Sequence, residues 1–231
     1  MFYNTIAMKI YTPTDHKVRA TIFAQQKERI MNSVKVSRQF LEWFDKIQLP
    51  EMTVPDAQII GSRLEELVWR TIVNAGNEYL SWPEWFTHLV KQEFPCTDYI
   101  RGLGEIDFTP MPDLFHEYFG HMPLMAQQWH ADIQHHTAKI FLDNPERQDD
   151  IYTLSRYSAE YWCLREDGDI KALWAGILSS PWDLQRFCAG EINLVPATQE
   201  TILQHKPSPH KPHQTLFVFD SIEHMWDVLR I

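Results

Sequence analysis

The sequence predicts a mainly α-helical globular protein with a small β element. Apolar residues recur at the spacing of amphipathic helices through most of the chain, and few segments have the apolar pattern of strands. The chain has 231 residues, 44% of them hydrophobic, and includes 9 Trp and 13 Phe. That length suits one domain with a substantial core, so we expect a single domain over residues 1–231.

The first third of the chain is predicted to be largely helical. Residues 1–20 look irregular, and near-helical spacing of apolar residues then runs from 22 to 47. The pattern recurs over 56–74, and the glycine-containing segment 74–76 is expected to end that helix. We therefore expect two long helices before residue 80.

The following elements are predicted from capping signals and apolar spacing. Ser81 is expected to cap a helix, with Pro83 near the first turn and Glu84 at the third position. Further helices are predicted near 113–119, 126–142, 147–165, 181–189, 196–204 and 220–229. Strands are predicted at 170–174 and 216–219.

Charge and cysteine content limit the classes of partner. The formal net charge of −10 argues against nucleic acid or an anionic membrane as the main partner, because both require a basic surface. Cys96, Cys163 and Cys188 show no CxxC spacing, which fits a reducing compartment. Neither a signal peptide nor an apolar run near the ~20 residues of a membrane span is evident. A cytoplasmic location is expected.

A pair of histidines flanked by a carboxylate is the first candidate site. In the segment HEYFGH, His116 and His121 lie five residues apart, and neutral imidazole is a common ligand of Zn, Fe, Cu and Ni. Residues five apart lie roughly 140° apart on an ideal helix, so the helix must end or bend for both to reach one ion. Gly120 and Pro123 are where such a break is expected. The alternative is a surface helix end carrying two unrelated histidines.

Glu160 is the candidate third ligand. It is the one acid in an apolar, aromatic stretch, and a carboxylate on a buried helical face is costly unless it is paired or bound to metal. Two histidines and one carboxylate form the facial triad of non-haem Fe(II) oxygenases. A salt bridge to Arg156, four residues earlier on the same helical face, is the competing explanation.

Several ordered motifs resemble one family. The segment TPMPDLFHEYFGHMPLM, residues 109–125, is similar to the iron-binding segment TPEPDxxHExxGHxPL of the tetrahydrobiopterin-dependent aromatic amino acid hydroxylases. Residues 156–160 resemble the stretch that ends in the family's ligand Glu, and 169–180 resemble its IKAxGAGLLSS run. The resemblance covers about residues 82–231 and is weak over the divergent helical part at 1–80.

The resemblance implies a fold and a reaction. The fold is a single catalytic domain, mainly α with a small β element, like the short bacterial phenylalanine 4-hydroxylase-like members. The implied reaction is ring hydroxylation of a free aromatic amino acid, phenylalanine by default, with Fe(II), O2 and tetrahydrobiopterin or a related tetrahydropterin. Tryptophan or tyrosine is the alternative substrate. A zinc- or iron-dependent hydrolase and a non-catalytic metal-binding homologue are alternatives from other classes.

The resemblance also assigns roles to residues outside the histidine motif. Arg101 matches the family's clamp on the substrate carboxylate, and Asp113 matches the residue that orients that arginine. Thr109 and Ser180 match groups that hydrogen-bond the amino acid end of the substrate. By residue type alone, Arg101 could be a surface arginine and Asp113 a helix N-cap.

Two further expectations concern the residues that would lie near the pterin and the histidines that follow the motif. In the family the acid at Glu117 faces the pterin through water, and the aromatic at Trp85 stacks on it. Core packing is the commoner role for such a Trp. The histidines predicted to be solvated on one helix are His130, His135 and His136.

The chain departs from the family pattern at two places near the implied site. Ser155 and Arg156 stand where the family usually has an aromatic pair on the substrate side, and the Pro-rich pterin loop is only faintly echoed at 72–77. Arg156 is predicted to point into the pocket and to change substrate preference; pairing with Glu160 is the alternative. We expect neither a regulatory domain nor a tetramer helix. The protein is therefore expected to be a monomer or small oligomer without allosteric control.

Overall fold

Helices make up most of the regular structure, as predicted. The computed structural model describes residues 9–76, 80–106, 112–206 and 214–230. The helices are α1 (Pro13–Met31), α2 (Arg38–Lys46), α3 (Ala57–Val68), α4 (Trp82–Val90), α5 (Met122–Met125), α6 (Gln128–Asp143), α7 (Gln148–Glu160), α8 (Ala175–Leu178), α9 (Pro181–Ala189), α10 (Gln199–Leu203) and α11 (Ile222–Leu229). A π-helix spans His116–His121, and 3₁₀ turns span Leu103–Glu105 and Pro145–Arg147.

The strands form two small sheets. They are β1 (Thr71–Gly76), β2 (Glu93–Thr97), β3 (Trp162–Glu166), β4 (Asp169–Ala172), β5 (Asn193–Pro196) and β6 (Thr215–Phe219). β1 and β2 pair in parallel, and the larger sheet has the order β4-β3-β6-β5. Only the β3–β4 pair of that sheet is antiparallel. The predicted class, mainly α with a small β element, is confirmed.

The predicted helices before residue 80 need correction. The chain turns helical at Pro13, where Thr12 and Asp15 form a capping box, so the predicted irregular region is too long. The stretch 22–47 contains two helices, because α1 ends at Met31 and Ser37 caps α2 separately. Helix α3 ends at Val68, and the remainder of the predicted 56–74 helix is strand β1.

Some helices predicted after residue 80 also extend into segments that form strands. The predicted helix 147–165 ends at Glu160, and the chain enters β3 at Trp162. The predicted helix 196–204 overlaps the end of β5 and the short α10. Helix α4 begins as predicted, with the Glu84 carboxylate accepting from the Ser81 amide at 3.0 Å.

The core holds the π-helix in place from one side. The Phe119 ring packs 5.4 Å from Phe23 on α1 and 4.8 Å from Phe44 on α2, measured between ring centroids. All three rings are buried. The opposite face of the π-helix, which carries His116 and His121, is thereby directed towards α7 and α8. Within the described residues, no helix is both long and apolar enough to cross a membrane.

Candidate metal centre and active-site cavity

The two histidines meet because the helix widens between them. Residues 116–121 form a π-helix, in which hydrogen bonds run from i to i+5, and the Met122 amide donates to the Glu117 carbonyl. Residues five apart therefore face the same side, and the Nε2 atoms of His116 and His121 lie 3.0 Å apart. The predicted break at Gly120 or Pro123 is wrong, since the backbone stays helical into α5.

Glycines allow the flanking elements to approach closely. A Cβ on Gly120 would lie 2.9 Å from the Cα, Cβ and O atoms of Ala175 on α8. A Cβ on Gly176 would lie 2.8 Å from the Glu160 carbonyl oxygen and from the Tyr161 ring. Helix α8 thus fits between the π-helix and the end of α7. This contact brings Glu160 to the histidine pair.

Glu160 completes a three-residue cluster. Its Oε1 lies 3.1 Å from His121 Nε2, and its Oε2 lies 3.6 Å from His116 Nε2. One ligand atom from each of the three residues can be chosen so that all lie within 4.8 Å of one another. His121 and Glu160 are buried, and His116 is nearly so.

Ser179 orients the His116 ring. Its hydroxyl donates to the Ala175 carbonyl at 2.6 Å, which leaves the serine oxygen to accept from His116 Nδ1 at 2.8 Å. A proton on Nδ1 leaves Nε2 as the lone-pair nitrogen facing the centre, the usual arrangement of a metal-binding histidine. Sequence reasoning missed Ser179, and the double serine that ends the IKAxGAGLLSS-like run was the available signal.

The charge states of His116 and Glu160 suit a divalent cation. At His121 burial is outweighed by the Glu160 carboxylate, which raises the His121 pKa, so a bound cation would displace a proton there. Burial lowers the pKa of His116 to about 4, so this imidazole is neutral. Burial opposes ionisation of Glu160, but the attraction of His121 and its hydrogen bond hold the Glu160 pKa well below its usual range. Glu160 Oε2 is buried with no hydrogen-bond partner among the described residues. A carboxylate with an unused acceptor beside convergent imidazoles fits a bound metal.

A cavity opens beside the cluster between α4, α6, α7 and β2. It is lined by the three cluster residues and by mostly aromatic and apolar side chains with a few polar groups among them. The lining side chains include Trp82, Trp85, Glu117, His130, Gln134, Tyr152, Ser155 and Arg156. Ligands could therefore reach the cluster from one side.

Arg101 and Asp113 form a buried ion pair before the π-helix. Arg101 Nη2 donates to Asp113 Oδ1 at 2.7 Å and Arg101 Nε donates to Oδ2 at 2.8 Å, a two-pronged contact. Asp113 Oδ1 also accepts from the His116 amide at 3.1 Å, so it caps the helix as well. Arg101 is 4% exposed, which excludes the alternative of a surface arginine.

Comparisons with known proteins give one answer. The profile of the family described as biopterin-dependent aromatic amino acid hydroxylase matches residues 3–231. The phenylalanine-4-hydroxylase of Mesorhizobium japonicum is 30% identical over 199 residues, which cover 83% of this chain and 70% of that protein. The tyrosine 3-monooxygenase of Schistosoma mansoni is 29% identical over 184 residues, covering 76% of this chain and 38% of that protein.

This chain belongs to the biopterin-dependent aromatic amino acid hydroxylase family.

A solved structure agrees in fold. The iron- and phenylalanine-bound crystal structure of the Chromobacterium violaceum phenylalanine hydroxylase has a TM-score of 0.86 and 24% identity, covering 96% of this chain and 80% of that one. The predicted family, enzyme class and cofactors are confirmed: the chain is an aromatic amino acid hydroxylase that uses Fe(II) and a tetrahydropterin.

The residues that the family implies for the pterin both line the hydroxylase cavity. Trp85 is half-buried, and its ring centroid lies 5.5 Å from that of Phe94 in an edge contact. Part of the Trp85 ring also lines the cavity. Glu117 is buried, and burial raises its pKa to about 8. Its Oε2 lies 4.0 Å from His121 Nε2 and has no hydrogen-bond partner among the described residues.

Arg156 lies on the cavity wall of the hydroxylase beside Ser155. Its Nη1 is 3.9 Å from Glu160 Oε1, and its guanidinium lies 5.7 Å from the centroid of the Tyr161 ring. Both residues line the cavity where the family usually has an aromatic pair. The guanidinium is therefore close to Glu160 and also borders the cavity, so both predicted roles stay open.

Ser180 and Thr109 are the remaining residues that were predicted to contact the substrate. Ser180 caps α9, accepting from the Asp183 amide at 3.2 Å, and it follows the serine that contacts His116. Thr109 lies outside the described residues.

His135 and His136 are only partly exposed, and His130 is 1% exposed. The prediction that His130 is solvated is wrong, because the tertiary fold turns this face of α6 inward.

Proposed function

We propose that this chain hydroxylates the aromatic ring of free phenylalanine, with Fe(II) held by His116, His121 and Glu160. The observation that supports it best is the convergence of these side chains in a chain of this family. Several relatives carry the name phenylalanine-4-hydroxylase, which favours phenylalanine. Bound Fe(II) and tetrahydropterin supply the dioxygen activation and the electrons.

The chain's own contribution begins with the metal ligands. His116, His121 and Glu160 would hold the ion, and the cavity beside them would admit the reacting molecules. Ser179 keeps the Nε2 lone pair of His116 directed at the ion, so no ring rotation is needed when metal binds. Glu160 contributes the negative charge of the set.

Arg101 would bind the substrate carboxylate. Asp113 fixes two of its N–H groups, which aligns the guanidinium plane before substrate arrives. Since Asp113 also caps the helix that carries His116, the clamp and the metal ligands belong to one rigid unit. Such preorganisation holds the substrate ring at a fixed position relative to the ion.

The cavity walls would hold the ring systems of the substrate and the pterin. Trp85 would stack on the pterin, and Glu117 would meet it through water. Closely packed aromatic walls exclude bulk water from the reaction. Arg156 and Ser155 would border the substrate ring, and Thr109 and Ser180 would hydrogen-bond its amino acid end.

Iron analysis with matched histidine variants tests the proposal. His116→Ala and His121→Ala should lose stoichiometric Fe(II) and all amino-acid-dependent oxygen uptake while keeping helical circular dichroism. His88→Ala is the control, because His88 also contacts a carboxylate, Glu93 at 2.7 Å, but lies outside the cluster. Full iron occupancy in either cluster variant would exclude the assignment.

Oxygen uptake with Fe(II), a tetrahydropterin and each aromatic amino acid in turn identifies the substrate. Phenylalanine should give the highest kcat/KM. A preference for tyrosine or tryptophan would move the substrate assignment within the family. Zinc retained after anaerobic purification, with no oxygen uptake, would instead favour a hydrolase.

We also infer one catalytic domain over residues 1–231 with its iron-binding part at 82–231, a cytoplasmic location, and a monomer or small oligomer. Phenylalanine and O2 are the proposed partners, with neither nucleic acid nor membrane. Limited proteolysis, cell fractionation and light scattering test these points. A stable fragment starting near residue 82 would contradict the single-domain assignment.

A further inference from the structure

Two polar side chains on α6 form part of the cavity wall without an evident task. His130 and Gln134 lie one helical turn apart and both line the cavity that contains the metal cluster. They are 1% and 6% exposed, so both are essentially removed from bulk water. They were not among the residues implied for metal, substrate or pterin.

Aromatic neighbours hold the His130 ring in place. The ring makes edge contacts with Trp174 at 4.8 Å and with Trp129 at 5.5 Å between centroids. Trp174 stands where the IKAxGAGLLSS run has glycine, so its indole adds bulk behind His130 that the motif does not carry. The wall of the cavity is therefore built differently in this chain.

One polar atom of this pair lacks a protein partner in the described part of the chain. His130 Nδ1 is buried with no hydrogen-bond partner among the described residues, and its Nε2 is 3.5 Å from Gln134 Nε2. Burial keeps the pKa of His130 well below its usual range, so the ring is neutral, with one donor and one acceptor nitrogen. A buried polar atom without a partner is costly, which indicates that a bound molecule supplies the partner.

The reacting molecules differ in what they could offer to this pair. The phenylalanine ring carries no hydrogen-bonding atom, and its amino acid end is assigned to Arg101, which is not among the residues lining this cavity. A tetrahydropterin has a planar pyrimidinone edge with a carbonyl, a ring N–H and an amino group. A glutamine amide matches a carbonyl and an adjacent N–H with two hydrogen bonds. His130 Nε2 accepts from the Gln134 amide nitrogen, so in the neutral ring Nδ1 carries the hydrogen and can donate to the same carbonyl.

We propose that His130 and Gln134 bind the pyrimidinone edge of the tetrahydropterin. The inference rests on the proposed use of a pterin in this cavity and adds the residues that recognise its polar edge. The pair acts through contact with the reductant and does not touch the metal. An internal water molecule bonded to His130 is the competing explanation, and it predicts no effect of these side chains on pterin binding.

Binding to the iron-free protein separates this inference from catalysis. Tetrahydrobiopterin would be titrated anaerobically by calorimetry into wild type, Gln134→Leu, His130→Phe and the control Gln128→Leu. Gln128 is an exposed glutamine on the same helix that bonds only Asp132, at 2.7 Å, among the contacts of the described residues. Gln134→Leu and His130→Phe should each weaken binding at least tenfold, and Gln128→Leu should bind as wild type.

A variant that keeps the length of the side chain gives a sharper result. Gln134→Met has no amide to donate or accept a hydrogen bond, so it should weaken tetrahydrobiopterin binding at least tenfold. It tests the contact even if His130→Phe fails to fold.

Thermal unfolding distinguishes binding from packing. His130→Phe removes a buried unpaired polar atom and keeps an aromatic ring, so the ligand-free variant should melt at or above the wild-type temperature. Its stabilisation by added pterin should be largely lost. Unchanged pterin affinity in both the His130 and the Gln134 variants would overturn the subsite while leaving the pterin assignment intact. Absence of pterin binding to wild-type protein, with or without Fe(II), would overturn the pterin assignment itself.

Discussion

Arg101 and Asp113 place a buried charge pair one short segment before the metal ligands. Arg101 would form a second charge pair with the substrate carboxylate, and removing one partner of a desolvated charge pair costs about 2–5 kcal/mol. Arg101→Ala should therefore raise the KM for phenylalanine by more than roughly tenfold, since each 1.4 kcal/mol is a factor of ten. Steady-state kinetics at saturating pterin measures this effect.

The matched control for Arg101 is an exposed arginine with a similar partner. Arg230 Nη1 lies 3.1 Å from Asp227 Oδ1 with both side chains mostly exposed, so Arg230→Ala should leave the KM unchanged. Iron stoichiometry should stay normal in both variants. A normal KM in Arg101→Ala would show that the carboxylate is bound elsewhere.

Arg156 tests how one cation changes an aromatic cavity. The guanidinium borders the cavity at a position that usually carries a ring, and it lies 3.9 Å from Glu160. If its charge acts on the substrate, Arg156→Trp should increase the ratio of kcat/KM for phenylalanine over that for tyrosine and tryptophan. The apparent Kd for Fe(II) should hardly change. Much tighter iron binding with an unaltered substrate ranking would instead show that Arg156 competes with iron for Glu160.

Some site residues could be found from sequence and others only from contacts. His116, His121 and Glu160 stood out because their residue types and setting match a ligand set. Ser179 and His130 did not, because their roles depend on which element packs against them. Asp113 has both of the roles that its position in the sequence allowed, partner of the arginine and helix N-cap.

At the scale of elements, the contact between the π-helix and α8 determines the geometry of the centre. A methyl group on Gly120 would lie 2.9 Å from backbone and side-chain atoms of Ala175, so Gly120→Ala must push α8 away. Overpacking of this kind costs about 1–3 kcal/mol of folding free energy. The displacement also moves Ser179 away from His116, so iron affinity should fall together with the denaturation midpoint.

Another glycine provides the control for this packing effect. A Cβ on Gly104 would meet nothing within 4 Å, so Gly104→Ala should leave both the midpoint and the iron affinity near wild type. Urea denaturation and iron titration measure the two quantities. If Gly120→Ala retains wild-type iron affinity, the close approach of α8 is not required for the geometry of the ligands.

Element boundaries were the weakest part of the prediction for a physical reason. Residues 71–73 continue the apolar pattern of α3, yet they form β1 because β2 offers a parallel partner about twenty residues later. The chain after Glu160 was predicted as helix, yet it pairs with β6 from near the C-terminus. Long-range pairing of this type leaves no local signal. The π-helix likewise adds one residue to a turn and follows the same sequence pattern as an α-helix.

At the scale of the whole molecule, the metal would join segments that are distant in the chain. His116 and His121 belong to the π-helix and Glu160 ends α7, and both elements pack against α8. The Nε2 atoms of the two histidines lie 3.0 Å apart, and Glu160 Oε2 has no hydrogen-bond partner among the described residues. The fold assembles the ligand set from distant segments, so metal binding and global stability should be coupled.

Thermal unfolding with and without Fe(II) under anaerobic conditions tests this coupling. A ligand that binds only the folded state stabilises it by about 2.7 kcal/mol at a concentration of 100 times Kd. For a chain of this size each kcal/mol raises Tm by about 2–4 °C, so saturating Fe(II) should raise Tm by roughly 5–11 °C. His121→Ala should abolish the shift, whereas His88→Ala should retain it, because His88 and Glu93 lie outside the cluster. An equal shift in all three proteins would mean that Fe(II) binds elsewhere, and no shift in wild type would mean that the folded cluster does not hold the ion.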